Sequence, residues 1–280
     1  MQIERTIKET KHTIEQWKQE GNTIGFVPTM GYLHEGHKSL IDVAREENDK
    51  VVVSIFVNPT QFGPKEDLAA YPRDFDQDVL LCEKSGVDLI FYPTPEEMYP
   101  QGFCSFVDMT GLSEELCGKS RPTHFKGVQT IVAKLFHIIP ANRAYFGQKD
   151  AQQLAIIKRM VKDLDFDIEI IGCPIIREAD GLAKSSRNVY LSREEREQAT
   201  VLYQALRLGE QAVLDGEQDA WKIKQMIINH IKTKPLARID YVEVVEFSGI
   251  KPIEKIEGSI LVAIAVYFGK TRLIDNVIML

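Results

Sequence analysis

Pro28-Thr29-Met30-Gly31-Tyr32-Leu33-His34-Glu35-Gly36-His37 decides the fold, because it closes an apolar strand and opens a helix. Upstream, residues 23–27 are apolar and β-branched enough for a buried strand; downstream, Leu40, Ile41 and Ala44 fall at helical spacing. Gly31 and Gly36 let backbone approach a ligand closely. His34 and His37 stand three apart on one side of the first helical turn, where unpaired N–H groups and the helix dipole favour anions. The junction is expected to hold a polyanion such as a nucleotide.

Outward from that junction the same alternation continues. Residues 51–57, 87–92, 143–146 and 166–171 are strand-like runs separated by helical patterns, which implies parallel strands joined by crossover helices. The expectation is an α/β fold, a Rossmann-like doubly wound parallel sheet over residues 1–175. Ligands on such sheets sit outside the carboxyl ends of the strands, and His34, Asn58, Gln61 and Lys149 all follow one. After about residue 190 the texture changes to a charged helical stretch through Asp215, a second through Ile231, and strands at 241–247, 259–268 and 271–278. That pattern predicts a smaller C-terminal α+β domain over residues 176–280. Gly258-Ser259 and Gly269-Lys270 read as turns.

Composition narrows the function. The formal net charge of -7 argues against a nucleic-acid binder driven by counterion release, so an anionic substrate needs a local basic pocket. Cys82, Cys104, Cys117 and Cys173 are scattered, which indicates neither a zinc site nor a disulfide framework. The longest apolar run, residues 260–268, is far below the ~20 residues needed to cross a bilayer. A cytoplasmic protein without a membrane partner is expected.

Four further segments concentrate polar groups where an apolar pattern stops. Residues 54–64 end a strand with Asn58 and Gln61, carboxamides that donate and accept and so suit a carboxylate or hydroxyl. Gly147, Gln148, Lys149 and Asp150 follow another strand; Gly147 allows close approach and Lys149 can meet a phosphate. Of Gln152 and Gln153, one is expected to face the cleft and the other the surface. Between the two domains, Lys184, Ser185, Ser186 and Arg187 make an anion clamp, since a guanidinium binds two phosphate oxygens at once. Residues 121–128 precede an amphipathic helix; helix capping is their first expected role and a cleft contact the second. Each string alone is also compatible with a solvated turn or linker.

The H-x-G-H pattern resembles the signature of nucleotidyl-transferring α/β enzymes, the superfamily of class I aminoacyl-tRNA synthetases and small-molecule adenylyltransferases. Six strings make the resemblance closer: PTMGYLHEGH (28–37), VSIFVNPTQFGP (53–64), YPRDFDQD (71–78), THFKGV (123–128), YFGQKDAQQL (145–154) and GLAKSSRNVYLS (181–192). In that order and spacing they resemble the pantoate-β-alanine ligase (pantothenate synthetase) family. One position departs from it, for the family usually carries Met where this chain has Lys184.

The resemblance implies two steps. The pantoate carboxylate attacks the α-phosphorus of ATP, and the β-alanine amine then attacks the pantoyl adenylate, leaving pantothenate, AMP and pyrophosphate. By the family's pattern His34 and His37 contact the phosphates, with His37 as proton donor, while Lys149, Ser185, Ser186 and Arg187 hold the α-phosphate and leaving group. Met30, Gly31, Tyr32, Leu33, Glu35, Gly36, Gly147, Gln148, Asp150, Ile176 and Lys184 would line the nucleotide site, with Asp150 at the ribose or orienting its neighbours. Gln61 and Gln153, with Asn58, would form the pantoate pocket, and Gln61 would also touch β-alanine. Mg²⁺ is expected on the β- and γ-phosphates with no protein ligand, because it keeps its waters and needs few carboxylates. A homodimer is expected, and residues 63–78 are expected to close over the adenylate. The rivals are a nucleotidyltransferase acting on a phosphate, which would want more cations than the two glutamine contexts offer, and a nucleotide-binding regulator without chemistry.

Overall fold

The computed structural model describes residues 1–64 and 66–279. It divides into two units, the first built from residues 1–110, 121–148 and 153–174, the second from residues 111–120, 149–152 and 175–280. Through the first part of the chain the elements are β1 (Gln2–Glu4), α1 (Ile7–Gln19), β2 (Ile24–Thr29), α2 (Glu35–Glu47), β3 (Lys50–Ile55), α3 (Phe75–Lys84), β4 (Leu89–Phe91), α4 (Pro95–Met98) and α5 (Cys117–Ser120). α6 (His124–Ile138), β5 (Arg143–Gly147), α7 (Ala151–Asp163) and β6 (Glu169–Cys173) follow.

The six strands form one sheet in the order β1-β4-β3-β2-β5-β6, and every neighbouring pair is parallel. Strand alternation divides its side chains between two cores. Phe26, Val52, Leu89 and Phe91 pack with Ile14 and Trp17 of α1 and with Val128, Val132 and Phe136 of α6. Val27, Val51, Val53 and Ile90 pack with Leu40, Ile41 and Ala44 of α2 and Cys82 of α3. Both faces being covered explains why these strands read as unbroken apolar runs.

The second unit adds α8 (Arg193–Ala199), α9 (Val201–Leu214), α10 (Ala220–Ile231), β7 (Ala237–Glu246), β8 (Lys251–Pro252), β9 (Ile260–Phe268) and β10 (Thr271–Met279). Its sheet is antiparallel, ordered β10-β9-β7-β8. Leu202 and Leu206 of α9 and Ile223, Ile227 and Ile231 of α10 pack against Val242, Val244, Val262, Ile264 and Val266 of its strands.

Three local expectations change. β1 was not anticipated, since three residues at a sheet edge carry no pattern; its pairing to β4 forms it, with Gln2 N–H donating to Asp88 O at 2.8 Å and Tyr92 N–H to Glu4 O at 2.8 Å. The helical stretch through Asp215 is two helices, broken at Thr200, which ends α8 and precedes α9. Phe166 lies outside the sixth strand, which begins at Glu169; its ring packs on Phe136 at 5.7 Å between centroids. No helix among the described residues is long and apolar enough to cross a membrane.

Candidate active site

In the first unit, the loop after β2 carries two consecutive left-handed residues, Gly31 at φ 81° and Tyr32 at φ 52°. A non-glycine residue there costs roughly 1–2 kcal/mol, so something must hold it. Asp78 of α3 does: Oδ2 accepts from Tyr32 N–H at 2.9 Å and Oδ1 from Leu33 N–H at 2.6 Å. The approach is close enough that a Cβ on Gly31 would lie 2.9 Å from Asp78 Oδ2. Burial pushes the Asp78 carboxyl up against the pull of those two amides, consistent with its 2% exposure.

The loop delivers His34 in extended conformation as the N-cap of α2. Its Nδ1 accepts from Gly36 N–H at 3.1 Å, while His37 Nδ1 accepts from His34 N–H at 3.3 Å, with ring centroids 4.2 Å apart. The two histidines thus form a capping box, the place ordinarily taken by Ser or Thr with Glu. Since each Nδ1 is an acceptor, the neutral rings carry their protons on Nε2, which makes each Nε2–H a donor for an anion. A cavity of about 240 Å³ adjoins this loop at the carboxyl ends of β2, β3 and β4, lined by Met30, Gly31, Tyr32, Phe56, Arg73 and Asp78 among others.

After β3, Asn58 is 1% exposed and caps a single tight turn, Pro59–Gln61. Its Nδ2 donates to Gln61 Oε1 at 3.0 Å and Gly127 O at 3.2 Å, and its Oδ1 accepts from Tyr99 Oη at 2.7 Å and Thr60 Oγ1 at 2.9 Å. The Asn58 carboxamide is therefore engaged within the protein, where it orients Gln61. Gln61 Nε2 in turn donates to Met30 Sδ at 3.1 Å, joining this turn to the histidine loop.

Residues 121–128 do not cap α6, contrary to expectation, for Thr123 precedes the helix without a side-chain cap bond. They grip the Gln61 turn instead. His124 Nδ1–H donates to Gln61 O at 2.9 Å, and Arg121 reaches the same oxygen at 3.3 Å while pairing with both Glu66 oxygens at 2.6 Å. Burial pushes the Glu66 carboxyl up, but the Arg121 guanidinium outweighs it and holds the group below the usual range. Lys65, inside the 63–78 stretch, lies outside the described residues. A Cβ on Gly127 would fall 2.4 Å from Thr60 O and 2.6 Å from Gln61 N, both backbone atoms. Gly127→Ala is accordingly expected to destabilise by about 1–3 kcal/mol, as overpacking does, and to lower turnover by displacing the Pro59–Gln61 turn. Urea unfolding together with steady-state kinetics checks both, and wild-type values would refute the contact.

In the second unit, Lys149 Nζ lies 3.6 Å from Asp150 Oδ2, and Lys149 O accepts from Asn276 Nδ2 at 2.9 Å. Gln152 is buried rather than at the cleft or surface; Nε2 donates to Leu112 O and Glu115 O and Oε1 accepts from Cys117 N–H. Gln153, next to it, is half-buried in the first unit. Lys184 N–H donates to Ile176 O at 2.9 Å, and Ser185, extended, caps the turn Ser186–Tyr190 by accepting from Arg187 N–H at 3.2 Å. Asn188 braces that turn through Ala183 O and Glu178. Among the described residues no cluster of three or more His, Cys, Asp or Glu could hold a metal ion.

With these positions established, a family profile described as pantoate-beta-alanine ligase matches residues 2–278. The chain belongs to the pantoate-β-alanine ligase family. Curated relatives named pantothenate synthetase in Clostridium botulinum and Thermotoga neapolitana are 59% and 58% identical, over 99% and 100% of this chain and 98% and 100% of theirs. The solved pantothenate synthetase of Thermus thermophilus superposes with a TM-score of 0.94 at 44% identity, over 99% of both chains. The ligase of Francisella tularensis, complexed with beta-gamma ATP and β-alanine, gives 0.83 at 38% identity, over 99% of this chain and 97% of that one. The six ordered strings thus belong to a pantoate-β-alanine ligase throughout. What sequence reasoning missed in this family member is the layer behind them. Asp78 lay inside a quoted string without an assigned task, and Arg177, Asp275 and Asn276 carried no motif.

Proposed function

We infer that this chain ligates pantoate to β-alanine at the expense of ATP, through a pantoyl adenylate. Full-length membership of the ligase family supports the activity. The observation that carries the phosphate chemistry is the histidine capping box, which ties down both Nδ1 atoms and makes both Nε2–H groups donors at a helix N-terminus. A pantoate carboxylate oxygen attacks the α-phosphorus and the P–O bond to pyrophosphate breaks. The β-alanine nitrogen then attacks the acyl carbon, loses a proton, and AMP departs with the former carboxylate oxygen.

Neither step needs a covalent bond to the protein; both need charge stabilised at phosphorus and on the leaving groups. His34 and His37 donate hydrogen bonds to the phosphates through Nε2–H, and Lys149, Ser185, Ser186 and Arg187 hold the α-phosphate and pyrophosphate. Gly147, Gln148, Asp150 and Ile176 line the nucleotide, and Gln61 and Gln153 take the pantoate carboxylate and hydroxyls, with Asn58 acting through Gln61. Mg²⁺ would be carried by the β- and γ-phosphates of ATP, where it would neutralise charge. Residues 1–175 supply the ATP- and pantoate-binding residues and residues 176–280 the Lys184-Ser185-Ser186-Arg187 loop, the 63–78 stretch shields the adenylate, and the cytoplasmic enzyme works as a homodimer.

The path of one oxygen tests the intermediate. Pantoate labelled with ¹⁸O in its carboxylate should yield AMP carrying one ¹⁸O, whereas unlabelled AMP would exclude the adenylate. Lys184 stands where the family usually has Met, and its side chain either packs beside the adenine, in which case Lys184→Met leaves the KM for ATP within a few-fold, or contacts a phosphate. In the latter case Lys184→Met should raise the KM for ATP about tenfold, near ~1.4 kcal/mol, and an unchanged KM would sink the contact.

A further inference from the structure

Lys149 and the 184–187 loop come from distant parts of the chain, yet both are anchored to two adjacent residues of β10. Asp275, 2% exposed, receives the Arg177 guanidinium through two bonds of 2.6 and 2.9 Å. That guanidinium also donates to Gly181 O at 3.0 Å and lies 4.4 Å over the Tyr203 ring. Arg177 bridges Ala183 in antiparallel fashion, and Lys184 N–H continues the pairing to Ile176 O, so the braced hairpin runs directly into Ser185. Asn276, 4% exposed, donates to Lys149 O at 2.9 Å. The two are fixed to each other, because Asp275 Oδ1 accepts from Asn276 N–H at 2.8 Å. They are also fixed to the sheet, opposite Ile264 and Ala263 of β9.

Two polar residues in succession within an apolar strand are not explained by the sheet, which would be stabilised by apolar residues there. A buried carboxylate is costly unless paired, and this one is paired to a residue whose remaining bond shapes the approach to the loop. We propose that Asp275-Asn276 is the positioning pair of the phosphate-holding half of the site, setting Lys149 and the Ser185-Ser186-Arg187 loop at a fixed spacing. It rests on the reading that these residues hold the phosphates. Neither member of the pair touches substrate; each acts through the segment it anchors.

Asn276→Ala tests the pair. Misplacing Lys149 by a fraction of an ångström should lower kcat about tenfold, with the KM for pantoate unchanged within twofold. In a Lys149→Ala background the same substitution should cost less than about twofold, because the residue it acts through is gone. Deuterium uptake of the peptide spanning residues 148–152 should rise in Asn276→Ala, a readout that needs no turnover. An unchanged uptake, or an equal tenfold loss in both backgrounds, overturns the proposal. Asp275→Asn, which leaves Arg177 without its charge partner, should raise uptake over residues 177–187 in protein that still folds by circular dichroism; uptake confined elsewhere also overturns it. Should the wild type form no AMP, the ligase reading fails, while the uptake measurements still decide the anchoring.

Discussion

His37→Ala is expected to lower AMP formation from ATP, pantoate and β-alanine by about 10²–10³-fold, the usual loss when one preorganised donor to a developing charge is removed. The substitution also deletes the acceptor of His34 N–H, so part of any effect is structural. Losing a capping bond costs about 1 kcal/mol, which lowers Tm by a few degrees in a protein of this size. His37→Asn separates the two contributions. Its short carbonyl oxygen can still accept from His34 N–H, so stability should return toward wild type, while the absent Nε2–H should leave the rate depressed. Recovery of both together would make His37 a capping residue and nothing more. Quench-flow measurement of AMP beside calorimetric Tm gives the comparison.

Lys149→Ala should cost a similar ~10²–10³-fold in kcat, with almost no change in stability. The reason for that division lies in how the residue is held. Asn276 bonds the Lys149 carbonyl, which alanine retains, and the ion pair to Asp150 is long, at 3.6 Å, and partly exposed, a type worth little. The backbone bond, not the ammonium, thus carries the structure. Lys149→Arg keeps the charge on a planar, longer group and should recover only part of the rate, because an ammonium and a guanidinium present donors differently. A kcat within tenfold of wild type for Lys149→Ala, or a large fall in Tm, would contradict this assignment.

The parallel sheet was legible because strands buried on both faces are long apolar runs, as in Ile24–Thr29 and Lys50–Ile55, and the helices between them show their apolar faces at 3.6-residue spacing. β1 was not, since Gln2-Ile3-Glu4 becomes a strand only through its partner. The candidate site residues are legible as motifs, because strict spacing after a strand is a local property. The residues behind them are not. Asp78 meets Leu33 across 45 positions and Asn276 meets Lys149 across 127, and no local pattern announces such pairs. Residues 121–128 show a subtler failure: Thr before an amphipathic helix is an ordinary cap signal, but Arg121 and His124 turn to the carbonyl of Gln61, and Gly127 exists because Thr60 backbone lies against it. Asp275-Asn276 did leave one trace, an adjacent polar pair in a strand whose neighbours are apolar.

The central claim is a ligation that splits ATP between its α- and β-phosphates and consumes both organic substrates. It is tested most directly by following AMP and pyrophosphate from ATP and pantoate, with and without β-alanine, in the wild-type protein. With all three present, AMP, pyrophosphate and pantothenate should form in equal amounts. Without β-alanine, pyrophosphate should stop at about one equivalent per site, held there by the adenylate. Continuous pyrophosphate release with no AMP would make the chain a nucleotidyltransferase, ADP and phosphate would refute the adenylate, and no turnover would contradict the account outright.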